Sequence, residues 1–165
     1  MPNKTELFRN GTGLAVTAAL TLGAAMLGGL VSPGRSRDAG RWLKRLNKPP
    51  FQPPPRVFGP VWSALYPTVA LSGYRIVRAA PSPQRDRALR WWTAQLAFNA
   101  MWSPLFFGLR APKAALADNA LLLASAANYA RLAHRVDRTA SWVVAPYLAW
   151  LAFAALLNAE IVRRN

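Results

Sequence analysis

The side chains able to do chemistry in this sequence are mostly amides and aromatic rings. Gln95, Asn99, Trp102 and Phe106 recur at i, i+4, i+7 and i+11, which puts them on one helix face. Trp62, Tyr66, Val69 and Gly73 make a second stripe, and Tyr147, Trp150, Ala154 and Asn158 a third. Together they offer aromatic walls with a few hydrogen-bonding groups, which suits an apolar ligand pocket. Trp and Tyr also gather at membrane surfaces and in bundle cores. On spacing alone Trp62, Trp102 and Trp150 admit either role. Trp91, Trp92 and Trp142, at the ends of apolar stretches, read as an interfacial belt.

Other chemistries are thinly provided. The chain has no cysteine, which removes disulfides, thiolate metal sites and a cysteine nucleophile. Its lone histidine, His134, lies among Arg131, Arg135 and Arg138 and reads as a solvated loop residue. No metal-ligand spacing, phosphate-binding glycine loop or Ser/His/Asp set is present, and no cofactor is expected. Asp118 is an acid set within an apolar stretch, where a carboxylate costs about 2.5–3.5 kcal/mol at a bilayer centre. Its expected role is structural, pairing with Arg110 or Lys113 or capping broken backbone; a functional contact is the alternative.

The elements that must position these residues are membrane-spanning helices. A bilayer core about 30 Å thick needs roughly 20 helical residues. Apolar stretches cover about 11–31, 58–77, 89–109, 112–133 and 141–162. The expected fold is therefore all-α, an integral membrane bundle of five transmembrane helices in a single domain. Gly28-Gly29-Leu30-Val31 is a poor cleavage site, so the first stretch is read as a retained helix. Ala15, Ala19 and Gly23, with Ala24/Gly28 and Ala25/Gly29, give it small-xxx-small spacing for close helix contact. The 32–57 segment differs in kind, with Pro49, Pro50, Pro53, Pro54 and Pro55 excluding a helix interior. Its length favours a lid over a simple connection, with Trp42 on a short amphipathic helix within it.

Formal charge is +15, which would suit nucleic acid, but the 21 basic residues crowd between the apolar stretches. That distribution favours a lipid bilayer as partner and excludes nucleic acid. Lys and Arg number ten on the side of the N-terminus and eleven on the other, so they leave orientation undecided. Both surfaces suit anionic headgroups or ligands.

Several motifs occur in order. They are Trp42-Leu43-Lys44-Arg45-Leu46-Asn47-Lys48-Pro49, Val57-Phe58-Gly59-Pro60-Val61-Trp62-Ser63-Ala64-Leu65-Tyr66, Gln95-Leu96-Ala97-Phe98-Asn99 and Trp102-Ser103-Pro104-Leu105-Phe106-Phe107-Gly108. Ala115-Leu116-Ala117-Asp118 and Pro146-Tyr147-Leu148-Ala149-Trp150 follow, with Asn158 last. In these motifs the chain resembles the TspO/MBR family of tryptophan-rich sensory proteins and translocator proteins. The resemblance implies a five-helix bundle, often homodimeric. It also implies a cavity beneath the first loop for porphyrins and haem-related tetrapyrroles, cholesterol or benzodiazepine-type ligands. Trp62, Tyr66, Asn99, Trp102, Trp150, Ala154 and Leu157 resemble the pocket residues. Trp42, Lys48 and Pro49 resemble the covering loop, and Asp118 the family's aspartate on the fourth helix. Trp62 and Trp150 match tryptophans implicated in light-dependent porphyrin breakdown, so they are the catalytic candidates.

Two departures shift the expectation. Pro50 and Phe51 stand where many relatives have tryptophan, which reduces the loop's aromatic contribution. The C-terminal cholesterol motif lacks its tyrosine in Leu157-Asn158-Ala159-Glu160-Ile161-Val162-Arg163, which puts porphyrin ahead of sterol. The leading expectation is a receptor or sensor of tetrapyrroles, with Arg45 or Lys48 near the ligand's propionates. A light- and oxygen-dependent porphyrin-degrading enzyme and a transporter of tetrapyrroles or lipids are the alternatives. The Arg- and Ala-rich composition points to a bacterial plasma membrane, with the mitochondrial outer membrane second.

Overall fold

The computed structural model describes residues 4–165, with side chains described from residue 11, so Lys4, Glu6 and Arg9 lie outside the described side chains. Its helices are α1 (Lys4–Leu30), α2 (Arg37–Arg45), α3 (Pro55–Arg78), α4 (Pro83–Ser103), α5 (Pro112–Val136) and α6 (Arg138–Arg164). No strand occurs among the described residues. Even the 21-residue α4 is about 31 Å long at 1.5 Å per residue, enough for a bilayer core. The five long helices form a ring in the order α1, α3, α6, α5, α4, closing on α1.

The polarity of this bundle is that of a protein dissolved in lipid. On α1 the buried groups include Thr17 and Thr21, while Leu14, Val16, Leu20, Leu22, Met26 and Leu27 are exposed. Elsewhere Ser72, Gln95, Asn99, Asp118, Asn119, Ser125 and Asn158 are buried. In a bilayer no water satisfies such groups, so they turn inward, most of them to one another or to backbone carbonyls. Thr21 donates to the Thr17 carbonyl (2.8 Å) and Ser125 to that of Leu121 (2.7 Å). Ser72 Oγ donates to the Ala140 carbonyl (2.7 Å), so the Tyr129 hydroxyl, 2.6 Å away, donates to Ser72. By hydropathy alone, Gly11–Leu30 and Arg138–Arg164 qualify as spans. In α4 the charged first turns, with Arg85, Asp86, Arg87 and Arg90, add to the buried amides in lowering its hydropathy.

Small residues set the helix contacts. A Cβ on Gly28 would meet Ser103 Oγ at 3.6 Å and the Asn99 carbonyl at 3.7 Å, so this glycine lets α1 lie close on α4. Ala24 is buried in the same row, whereas Ala15 and Ala19 are exposed and a Cβ on Gly23 or Gly29 would meet nothing within 4 Å. Of the three small-residue rows, Ala24/Gly28 makes the close contact. Trp92 is a correction to the belt expectation. It is 2 % exposed and its indole N–H donates to the Val69 carbonyl at 3.0 Å. Trp91 and Trp142 are exposed.

Helix ends follow their caps. Ser82 accepts from the Arg85 amide (3.1 Å) and starts α4 well ahead of its apolar stretch. At the other end Pro104 has no N–H for the helical ladder. The chain widens there into a π-helical turn, Pro104–Gly108, closed by Leu109 N donating to the Pro104 carbonyl (2.8 Å). Arg110 follows with φ 53°, a left-handed conformation costing a non-glycine residue about 1–2 kcal/mol. His134 lies exposed on the last turn of α5, not in a loop.

Asp137 caps α6 by accepting from the Ala140 amide (3.1 Å) and pairs with Arg75 of α3, Nε to Oδ2 at 2.9 Å. Burial alone would raise its carboxyl, but the Ala140 amide and the Arg75 guanidinium outweigh it and hold the carboxyl below the usual range. A folded-state value below the unfolded one means stability present above the unfolded carboxylate range and lost as pH falls through the folded value. Asp137→Ala is therefore expected to cost about 1–2 kcal/mol at neutral pH, mostly through the lost cap. Thermal midpoints in detergent across pH should show the two proteins converging in acid.

Candidate functional site

The three polar-aromatic stripes meet at the ring's centre. Tyr66 of α3 donates to Asn99 Oδ1 (3.2 Å), and Asn99 Nδ2 donates to the Tyr147 hydroxyl (3.3 Å). Tyr147 donates to Gln95 Oε1 (2.6 Å), and Gln95 Nε2 closes on the Trp92 carbonyl (3.0 Å). One chain of hydrogen bonds thus ties α3, α4 and α6 together. Each member satisfies a group that would otherwise be stranded away from water.

Aromatic rings surround that chain on α3 and α6. Trp62 stacks on Tyr66 with centroids 5.2 Å apart, and presents edges to Tyr147 (6.2 Å) and Trp150 (6.5 Å). Phe58 and Phe153 flank Trp150 at 5.8 and 5.4 Å. Phe51 of the loop reaches Phe153 at 6.4 Å, so the loop contributes a ring without tryptophan at that place. The Trp150 and Trp102 indole nitrogens are buried with no hydrogen-bond partner among the described residues.

Trp102 belongs to a second aromatic group. It stacks on Phe106 (4.8 Å), and Trp42 of α2 meets Phe106 and Phe107 edge-on at 5.1 and 6.3 Å. Leu157 packs with Phe106, Ala115 and Ile161 in this group, while Ala154 is half-buried on α6. The π-helical turn presents Phe106 and Phe107 together to α2.

The loop is tied down at both ends of α2. Ser36 caps its start, accepting from the Ala39 amide (3.2 Å). Beyond its end Asn47 and Asn165 exchange bonds, Asn47 N to Asn165 Oδ1 (2.9 Å) and Asn165 Nδ2 to the Asn47 carbonyl (3.1 Å). Pro49 is buried. Lys48 spends its ammonium on the Lys44 and Leu46 carbonyls (3.4 and 3.2 Å).

A cavity of about 510 Å³ lies between α1 and α3 and is lined by Thr21, Ala25, Ser63, Tyr66 and Pro67, with Arg35 also on its wall. The exposed Leu22 and Met26 also line it, so it opens sideways. Tyr66 is the expected pocket residue that faces it, with Trp62 stacked behind. Asp118 is 7 % exposed and no ion pair joins it to Arg110 or Lys113. Its Oδ2 has no hydrogen-bond partner among the described residues. The pairing expected from sequence does not form.

Sequence spacing put Gln95 and Tyr147 on the right stripes without singling them out as site residues; Tyr147, one turn before Trp150, is the signal that would have found the network. Among the described residues no group of His, Cys, Asp or Glu could hold a metal.

Comparison with known proteins decides the family. The TspO/MBR family model matches residues 15–164. The chain belongs to the TspO/MBR family. It is 37% identical over 142 residues to the translocator protein of Bos taurus, covering 84% of each chain. It is 35% identical over 141 residues to the tryptophan-rich sensory protein of Cereibacter sphaeroides, covering 86% of this chain and 87% of that one. Against the translocator protein of Homo sapiens it is 37% identical over 127 residues, covering 76% and 75%. TspO/MBR membership makes the ring of five long helices a five-span integral membrane bundle of the sensor and translocator type.

Proposed function

We propose that this TspO/MBR protein is a membrane receptor for porphyrin-type tetrapyrroles, bound flat against the Trp62–Tyr66 stack in the cavity between α1 and α3. The observation carrying this reading is that Tyr66, backed by Trp62 at 5.2 Å, faces a cavity of about 510 Å³. Ligand pockets run about 300–1,000 Å³ and combine apolar walls with a few polar groups. A conjugated macrocycle gains about 0.5–1.5 kcal/mol per stacked ring beyond its area burial. Arg35, on the cavity wall, offers a charge-assisted bond to a propionate. The sideways opening suits a ligand that arrives through the bilayer. Sterols stand second, since Tyr66 and Ser63 could orient a hydroxyl.

Quenching of tryptophan fluorescence by protoporphyrin tests the site. Tyr66→Ala is expected to weaken binding by about tenfold or more, equivalent to ~1.4 kcal/mol. Trp62→Phe should have a smaller effect, and Trp142→Phe, on the exposed surface, none. Equal affinity in all three would move the ligand elsewhere. The same titration under illumination separates binding from degradation. A bleached product that requires Trp62 and Trp150 would make the protein an enzyme, with those residues catalytic.

We place the protein in a bacterial plasma membrane, on its Arg- and Ala-rich composition, and as a homodimer. Cross-linking in native membranes should give a dimer-sized product.

A further inference from the structure

On the loop side of the bundle a smaller pocket, about 190 Å³, lies between α2 and the end of the π-helical turn. Asp38, Arg41, Trp42, Arg45 and Arg110 line it. Three guanidinia face it against one carboxylate. Asp38 is engaged by Arg41, whose guanidinium lies 2.5 Å from Oδ1 and holds the carboxyl below the usual range. Arg110 lines the same pocket from the far side of the π-helical turn. Arg45 and Arg110 have no carboxylate partner among the described residues.

Packing and hydrogen bonds anchor the backbone of α2 that carries two of these charges. Trp42 is wedged edge-on against Phe106 and Phe107, and the Asn47–Asn165 bonds tie the chain beyond α2 to the end of α6. Arg110 is the one non-glycine residue at positive φ among those described, a conformation that serves to turn the chain at this pocket. Strained backbone of this kind clusters at binding sites, where surrounding structure holds it. Leu109 beside it is 71 % exposed, which puts the pocket where lipid chains meet headgroups.

We infer that Arg41, Arg45 and Arg110 form a binding site for a phosphate group, filled in the membrane by the headgroup of an anionic phospholipid. Guanidinium forks match phosphate oxygens with paired hydrogen bonds, and three of them suit a phosphate monoester better than a zwitterionic headgroup. The lipid's chains would then run down the exposed face beside Leu109. This site is separate from the cavity at Tyr66 and does not rest on the tetrapyrrole reading.

The test uses the full chain in nanodiscs or detergent, with phosphatidic acid and phosphatidylcholine as probes. Lipid retained through size exclusion is counted by mass spectrometry. Arg45→Gln combined with Arg110→Gln is expected to cut retained phosphatidic acid by at least about tenfold and leave phosphatidylcholine unchanged. Arg37→Gln combined with Lys44→Gln removes two exposed charges from the same helix outside the pocket, and retention should persist. Arg110→Gly suits the left-handed backbone, so it should lose the lipid while melting no lower than the parent. Millimolar inorganic phosphate that displaces the lipid shows that the phosphate group itself is read. Failure to displace it assigns the site to the intact headgroup. Unchanged retention in the Arg45/Arg110 variant, or equal loss in the Arg37/Lys44 variant, overturns the inference.

Discussion

Gly73→Ala is expected to destabilise the protein severely. A Cβ built on Gly73 would stand 2.6 Å from the Trp92 Nε1 and 2.7 Å from its Cζ2, well inside contact distance. Trp92 cannot step aside freely, because it is 2 % exposed and its N–H is committed to the Val69 carbonyl. Overpacking a dense interior costs about 1–3 kcal/mol. If the indole gives up its bond, a stranded buried donor adds ~1–3 kcal/mol. The thermal midpoint in detergent should fall accordingly. Trp92→Phe removes the indole atoms that the new methyl would strike, so the double variant should lose less than the two single losses combined. Simple additivity would show that the two residues do not meet as described.

Tyr147→Phe should cost about 1–3 kcal/mol despite removing a single oxygen. That hydroxyl donates to Gln95 at 2.6 Å and accepts from Asn99 at 3.3 Å, and both amides are buried. Phenylalanine leaves Gln95 Oε1 without this donor and Asn99 Nδ2 without this acceptor, in a place water does not reach. The short bond to Gln95 carries most of the loss. Asn99 also orients Tyr66, so the variant should weaken protoporphyrin binding as well, though less than Tyr66→Ala. A double-mutant cycle with Tyr66→Phe separates the possibilities. Coupling between the two hydroxyls marks one network, whereas additive losses mark two independent bonds.

Trp92 shows where sequence patterns lose resolution. Near the end of an apolar stretch, an indole at the membrane surface and one folded over a glycine look alike. Only the partner helix tells them apart: α3 offers Gly73 as a recess and Val69 as an acceptor. Asp118 shows the same limit for charge. Its nearest basic residues in sequence invited an ion pair, but helical geometry turns the carboxylate into the bundle and leaves Arg110 beside α2.

What was legible in the chain were periodic properties. Apolar stretches announced the helices, prolines marked the loop, and amides recurring every turn showed that Gln95 and Asn99 face inward. Those features depend on residues close in sequence, where helix geometry alone places side chains on faces. Tertiary structure decided which faces meet. It made Tyr66, Asn99, Tyr147 and Gln95 one network, put Trp102 with Trp42 rather than with Trp62, and opened the cavity between α1 and α3. The physical reason is that a helical stripe specifies an inward direction. Its partner depends on the crossing distances set by small residues such as Gly28 and Gly73, and on the widened turn at Pro104.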